Sequence, residues 1–262
     1  MQITYRTSSI QEYWKERWRK VPVDDAMSND EVYPLKYANL AIKAGNGRIL
    51  ELGCGPGRLL KYYQKKGFDI IGVDYIEEII QRLKISDPTL NVEVGNATAL
   101  RFSDGFFGCV LAFGLYHSLS VNDLELALKE TFRVMKHLGT LCASFRANNF
   151  QRKLLDKRIH KQQENDQKIN CFHKLSFERA ECEDLLKKVG FEIKNVYCAQ
   201  NMPYLYKYSF FRSKTHKVFN ENLGRKEGYK LSIFGSVVQK YAMKFFPEVF
   251  CNLYVVIAQK KS

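Results

Sequence analysis

The chain has 262 residues, 45% of them apolar and 13% aromatic. That composition excludes a disordered chain and gives enough apolar surface for one large α/β domain without staples. The formal net charge is +13, with 19 Lys+Arg against 17 Asp+Glu over residues 1–150 and 22 against 11 over 151–262. A basic half suits an anionic partner, such as a phosphorylated metabolite, nucleic acid or an acidic membrane surface; a solvated lysine-rich surface has the same composition.

In chain order, Met1–Ile10 is polar and lacks the apolar core of a signal peptide. Ser9 is placed to cap a helix over Ile10–Lys20 that carries Tyr13, Trp14, Arg17 and Trp18 and stops at Pro22. A second helix is expected over Tyr33–Lys43. Then Arg48–Leu52 reads as a buried strand, Leu59–Lys66 as a helix, Asp69–Asp74 as a strand and Glu77–Lys84 as a helix. Strands over Asn91–Val94 and Gly108–Phe113, a helix over Asn122–Lys136 and a strand over Gly139–Phe145 continue the alternation. Such alternation predicts a parallel sheet with helices on both faces. Beyond Arg146 the rhythm breaks. Residues 147–175 show no clear strand, Ser176 opens a helix to Lys188, and Phe191–Cys198 is a strand. Residues 202–249 read as irregular helix, and Cys251–Ala258 as a final strand. No apolar run reaches membrane-spanning length.

The seven cysteines, Cys54, Cys109, Cys142, Cys171, Cys182, Cys198 and Cys251, are odd in number and form no C-x-x-C pair. They read as reduced core thiols of a cytoplasmic protein, with no metal site expected.

The strongest local signal is Ile49-Leu-Glu-Leu-Gly-Cys-Gly-Pro-Gly-Arg58. A buried strand runs into Gly53, Gly55 and Gly57 and then a helix, as a backbone must where it turns tightly beside a ligand. A dinucleotide fingerprint would need glycine at position 58, where Arg58 stands. The segment resembles the first motif of the class I S-adenosylmethionine-dependent methyltransferases. Asp74, 23 residues after Glu51, matches the acid that binds the cofactor's ribose hydroxyls, with Tyr75 beside the adenine. Gly95-Asn-Ala-Thr-Ala-Leu-Arg-Phe102 resembles the G-D-A-x-x-L-P-F segment, with Asn96 in place of the acid and Ala97 next to it. Phe106–Ser118 resembles the fourth-strand segment ending in L-H-H, and Leu128–Gly139 resembles E-x-x-R-V-L-K-P-G-G, from which His137 and Leu138 depart.

The resemblance covers residues 45–146 well and 176–199 and 251–259 loosely. It implies a three-layer α/β Rossmann-like fold with a mostly parallel seven-stranded sheet in the order 3-2-1-4-5-7-6. It also implies a helical lid or insertion before the last strand. The corresponding parse of 1–262 is one domain: a helical cap over 1–44, a cofactor core over 45–146, insertions over 147–175 and 202–249, and a final strand over 250–262. S-adenosylmethionine is the implied cofactor and S-adenosylhomocysteine the product, held by Glu51, Gly53, Gly55, Gly57, Arg58, Asp74, Tyr75, Asn96, Ala97 and Phe113.

Catalytic groups are expected beyond the strand carboxyl ends. Tyr116 and His117 follow the fourth strand. His117 is the first candidate general base, although a residue there can equally orient substrate or pack beneath a lid. His173 is a second candidate. Arg146 can grip an anion or face solvent. Tyr13, Arg17 and Trp18, with Tyr204, Lys207 and Arg212 of the second insertion, are the remaining candidates for the substrate pocket; an aromatic stripe at helical spacing also fits core. The chain lacks the motifs of amino-methylating adenine or glutamine enzymes, of cytosine enzymes and of metal-dependent catechol enzymes. What remains resembles small-molecule O- or N-methyltransferases. Tyr13-Trp-Lys-Glu-Arg-Trp18 resembles the start of a group associated with bacterial capsule and surface-polysaccharide genes, and methylation of a phosphate or phosphoramidate group fits the basic half. The expected partner is a small anionic substrate, with no stable membrane association, in a monomer or homodimer. Two other readings stand beside this one: an RNA or tRNA methyltransferase using the basic half, and a non-catalytic methyltransferase-like partner subunit.

Overall fold

The computed structural model describes residues 1–6, 8–23, 26–45, 47–149, 153 and 171–261. Its elements in order are β1 Gln2–Arg6, α1 Ile10–Arg19, α2 Leu35–Ala44, β2 Ile49–Leu52, α3 Arg58–Lys65, β3 Ile70–Asp74, α4 Glu77–Ser86, β4 Val92–Val94 and β5 Phe107–Ala112. There follow a 3₁₀ turn at Tyr116–Ser118, α5 Val121–Val134, β6 Met135–Arg146, β7 Cys171–Ser176, α6 Arg179–Val189 and β8 Phe191–Ala199. After three more 3₁₀ turns come α7 Glu221–Glu227, α8 Ile233–Phe245, α9 Pro247–Phe250 and β9 Leu253–Lys260.

Seven strands form one sheet in the order β4-β3-β2-β5-β6-β9-β8. Pairings from β4 to β6 are parallel, and β9 runs antiparallel between β6 and β8. Counted along the chain without β1 and β7, this is the expected order 3-2-1-4-5-7-6. Every residue of β2, β3 and β5 is buried, as parallel strands covered on both faces must be. Side chains alternate between the faces. Leu50, Leu52 and Val110 pack with Leu124 and Leu128 of α5 and Leu186 of α6. Ile49, Ile70 and Leu111 pack with Leu35 of α2, Leu60 of α3 and Ile79 of α4.

The first helix begins as expected. Ser9 accepts a bond from the Glu12 N–H and the Glu12 carboxylate accepts one from the Ser9 N–H, a reciprocal capping box. Two expectations are corrected. Residues 171–176 form a strand, β7, which pairs antiparallel with β1 in a separate two-stranded sheet. Ser176 is the end of that strand, so the following helix is capped by Glu178 instead, in a box with Glu181. The rest of the first predicted insertion, 150–152 and 154–170, lies outside the described residues. The second predicted insertion consists of short 3₁₀ turns and the helices α7 and α8.

Leu138 departs from the glycine of the family pattern, and its φ is +58°, in the left-handed region. A Cβ-bearing residue there carries about 1–2 kcal/mol of strain. Leu138 is exposed, so little packing offsets that cost. Leu138→Gly is expected to raise the unfolding free energy by about 1 kcal/mol, read by urea denaturation; an unchanged or lower midpoint would contradict the strain assignment.

Candidate active site

A cleft of about 1200 Å³ opens at the carboxyl ends of β2, β3, β5 and β6. This exceeds the volume of ordinary single-ligand pockets, roughly 300–1000 Å³, and so leaves room for a cofactor and an acceptor together. Its floor is the glycine loop after β2. Gly53, Gly55 and Gly57 have φ values of +75°, +51° and +71°, which glycine adopts without steric cost. At Gly55 a Cβ would lie 2.8 Å from the Trp18 indole, so the N-terminal helix closes directly onto the loop.

Two buried carboxylates fix the loop. Asp74 Oδ2 accepts a 2.8 Å bond from the Gly55 N–H, and its Oδ1 accepts one from the Ile76 N–H. Burial pushes its pKa up, and the backbone donors oppose that rise. A carboxylate has about four lone-pair sites, so Asp74 keeps capacity for two hydroxyl donors. Glu51 Oε2 accepts from the Leu60 N–H at 2.9 Å. Gly57, the N-cap of α3, has no side chain to cap it, and Glu51 satisfies that helix end from the neighbouring strand. Burial pushes Glu51 up to about 8, opposed by the Leu60 N–H and the Arg58 guanidinium.

Most of the expected cofactor residues line the cleft: Glu51, Gly53, Gly55, Arg58, Asp74, Tyr75, Asn96, Ala97 and Phe113. Gly57 does not; it makes the turn into α3, where a Cβ would meet Leu83 at 2.8 Å. Asn96 Oδ1 already accepts from the Thr98 N–H, with a second lone pair remaining. Phe113 packs edge-on against Tyr33, whose hydroxyl lies 3.0 Å from Ser144 Oγ.

The acceptor candidates divide. His117, Arg146, Tyr13, Arg17, Trp18 and Lys207 line the cleft. Tyr116 does not. The 3₁₀ turn directs it into the core, fully buried, with its hydroxyl 2.7 Å from Thr131 Oγ1. Tyr204 stands off the cleft wall, edge-on to Tyr208 and Phe250. Arg212 also stands off it, donating to the carbonyls of Tyr206, Lys207 and Lys217; it braces the turns of the insertion. His173 packs against Tyr13 and does not line the cleft. Sequence reasoning missed Tyr33, Lys174, Glu221, Arg225 and Tyr229, all on the cleft wall. No local pattern marks them, because tertiary packing brings them there. Among the described residues no group of three or more His, Cys, Asp and Glu could hold a metal ion, and no helix is long and apolar enough to cross a membrane.

Residues 50–143 match a family model described as a methyltransferase domain. A probable S-adenosylmethionine-dependent methyltransferase of Mycolicibacterium smegmatis is 26% identical over 61% of this chain and 57% of its own length. A demethylmenaquinone methyltransferase of Renibacterium salmoninarum is 32% identical over 48% of this chain and 46% of its own. The chain thus spans about half the length of the curated relatives it matches. A solved S-adenosylmethionine-dependent methyltransferase from Methanosarcina mazei shares the fold, with a TM-score of 0.58 and 20% identity over 88% of this chain and 98% of that one. The donor set fits S-adenosylmethionine, the cofactor named for these similar proteins: a buried carboxylate with spare acceptor capacity for a diol, a glycine loop for close backbone approach, and Asn96 and Ala97 with room for an adenine edge.

Two expectations follow. Asp74→Ala removes the carboxylate that accepts from the Gly55 and Ile76 N–H groups and has spare lone pairs for a diol, and should weaken S-adenosylhomocysteine binding about 100-fold by calorimetry; unchanged affinity would remove Asp74 from the site. Glu51 binds its proton more tightly folded, at about 8, than unfolded, at 4.5. Between those values the native state holds more protons than the unfolded one, so stability falls as pH rises through that window. Glu51→Gln should flatten this fall in denaturant titrations at pH 5, 7 and 9; a variant that loses stability with pH as steeply as the parent would contradict the assignment.

Proposed function

We infer that this chain, with a methyltransferase domain matched over residues 50–143, transfers the methyl group of S-adenosylmethionine to an oxygen or nitrogen of a small anionic, phosphorylated metabolite. When bound, the cofactor supplies an already activated methyl group on a sulfonium. The protein then needs to hold a nucleophile in line and exclude water, and positioning of this kind can supply much of the rate.

The observation that carries the anionic acceptor is Arg146. It stands at the carboxyl end of β6 on the cleft wall, and its Nη1 is buried with no hydrogen-bond partner among the described residues. A buried donor left without an acceptor costs about 1–3 kcal/mol, and more when charged. A phosphate or carboxylate group satisfies a guanidinium through two parallel bonds. Lys174 and Lys207, which also line the cleft, add positive charge. His117, buried on the turn after β5, takes the proton from a hydroxyl or amine acceptor, whereas a phosphate oxygen needs no base. Capsule or surface-polysaccharide precursors and phosphate or phosphoramidate groups fall within this substrate class.

The test is a screen of phosphorylated metabolites and nucleotide sugars with methyl-labelled cofactor. On the acceptor so found, Arg146→Ala should raise KM about tenfold or more with kcat little changed, and His117→Ala should lower kcat by about 100-fold for a hydroxyl or amine acceptor. Labelling confined to RNA, with steep salt dependence, would overturn the small-acceptor reading.

A further inference from the structure

The helix α8, Ile233–Phe245, packs with its apolar face outward. Its buried residues are Gly235 and Gln239. A Cβ at Gly235 would lie 2.6 Å from the Phe211 carbonyl oxygen, so this face of the helix sits directly on backbone. Gln239 Oε1 accepts from the Leu205 N–H at 3.2 Å, and its Nε2 donates to Gln200 Oε1. The opposite face is apolar. Ile233, Val237, Tyr241 and Phe245 stand four residues apart and so form one ridge. All four are exposed among the described residues, Ile233 at 88% and Phe245 at 62%. The Tyr241 and Phe245 rings stack with centres 6.2 Å apart. Phe234 shares this side of the helix, and Phe210, 77% exposed on the preceding turn, lies 6.3 Å from it between ring centres. Single apolar side chains on a surface are ordinary, whereas a contiguous set marks an interaction site.

Charge decides what covers this ridge. α8 carries Lys240 and Lys244 and no acid. At about 100° per residue, Lys244 falls between Ile233 and Val237, and Lys240 falls just beside Ile233. The Lys244 Nζ is 5.6 Å from the Phe245 ring centre. Residues 202–246 hold nine Lys and Arg against two Glu. Both acids are engaged, Glu221 with Arg17 and Glu227 with Lys230. A second copy seated through a two-fold contact would set these lysines against their own counterparts, with no acid on α8 to answer them. Nucleic acid would use the charge and the aromatic faces but not the aliphatic Ile233 and Val237. An apolar ridge with lysines along it suits the boundary of an anionic bilayer. There the rings and aliphatic groups enter the headgroup region, and the ammonium groups reach lipid phosphates.

We propose that α8, with Phe210 beside it, is a reversible docking face for a membrane surface of anionic phospholipid. The face lies in the segment that also walls the cleft: Leu205, bonded to Gln239, is two residues from Lys207, which lines it. Docking therefore holds that wall of the cleft close to the lipid surface, whichever acceptor the cleft takes.

The test is co-sedimentation with vesicles at about 0.1 M salt, comparing phosphatidylcholine alone with an equal mixture of phosphatidylglycerol and phosphatidylcholine. The parent should bind the mixed vesicles at least about tenfold more tightly. Phe234→Ser with Phe245→Ser should weaken that binding by about tenfold or more, and so should Lys240→Gln with Lys244→Gln. All four side chains are exposed, so both double variants should keep the parent's melting temperature by circular dichroism, and the lysine pair carries the test should the serine pair melt early. Lys187→Gln with Lys188→Gln removes the same charge from α6 and should leave vesicle binding within about twofold. An equal loss from this α6 pair would assign binding to net charge and overturn the face. Equal binding to the two kinds of vesicle would overturn the anionic surface. Failure of the parent to bind either would overturn the proposal outright, in favour of a second copy if ultracentrifugation shows self-association that the serine pair abolishes, or of RNA if the same residues retain it.

Discussion

The hydrogen bond from the Gly55 N–H to the buried Asp74 carboxylate joins the two features on which the site depends. One is a loop in which Gly53, Gly55 and Gly57 have positive φ, so that its backbone can approach a ligand closely. The other is an acid at the end of the adjacent strand. The parallel pairing of β2 with β3 brings them together, and the Gly53 and Cys54 N–H groups bonded to the Val73 carbonyl hold the loop against that strand. Glu51 anchors the far side of the loop by capping α3. A buried acid is costly unless it is hydrogen-bonded, and both acids here accept backbone donors, Asp74 from Gly55 and Ile76 and Glu51 from Leu60. The cleft floor is therefore set by main-chain geometry, and specificity falls to the side chains above it.

Those side chains come from three directions. The N-terminal helix lays Trp18 over the glycine loop and stacks it on Trp14, with ring centres 4.9 Å apart. The turn after β5 and the end of β6 bring His117 and Arg146. The segment before β9 brings Lys207, Glu221, Arg225 and Tyr229. The basic excess of the C-terminal half thus has a structural counterpart in the cleft. Arg225 and Lys207 face it, while Arg212 is consumed in bonds to carbonyls of the insertion itself. Net charge alone could not separate these fates, since each is decided by what lies within about 3 Å of the guanidinium.

The central layers were legible because their signals are local. β2 and β3 are short apolar runs bounded by glycine or acid, α1 carries its capping box, and four motifs fall in order between Ile49 and Gly139. β7 was not legible: its Cys-Phe-His-Lys-Leu-Ser pattern is only partly buried, and its partner, β1, lies some 170 residues away. Nor was the direction of Tyr116. It is adjacent to His117, but the 3₁₀ turn between β5 and α5 sends one ring into the core and the other to the cleft. Glu221 and Arg225 gave no signal because a short charged helix in an irregular stretch reads as surface until α1 and α3 are packed beside it.

The central claim is that the glycine loop and Asp74 form a site for S-adenosylmethionine. Titration of the purified protein with S-adenosylhomocysteine by calorimetry, after its 260 nm absorbance has shown it to be clear of nucleic acid, tests this most directly. The account predicts saturable one-to-one binding in the micromolar range, about −8 kcal/mol. An absence of binding heat at ligand concentrations near 1 mM, with the protein folded, would contradict it.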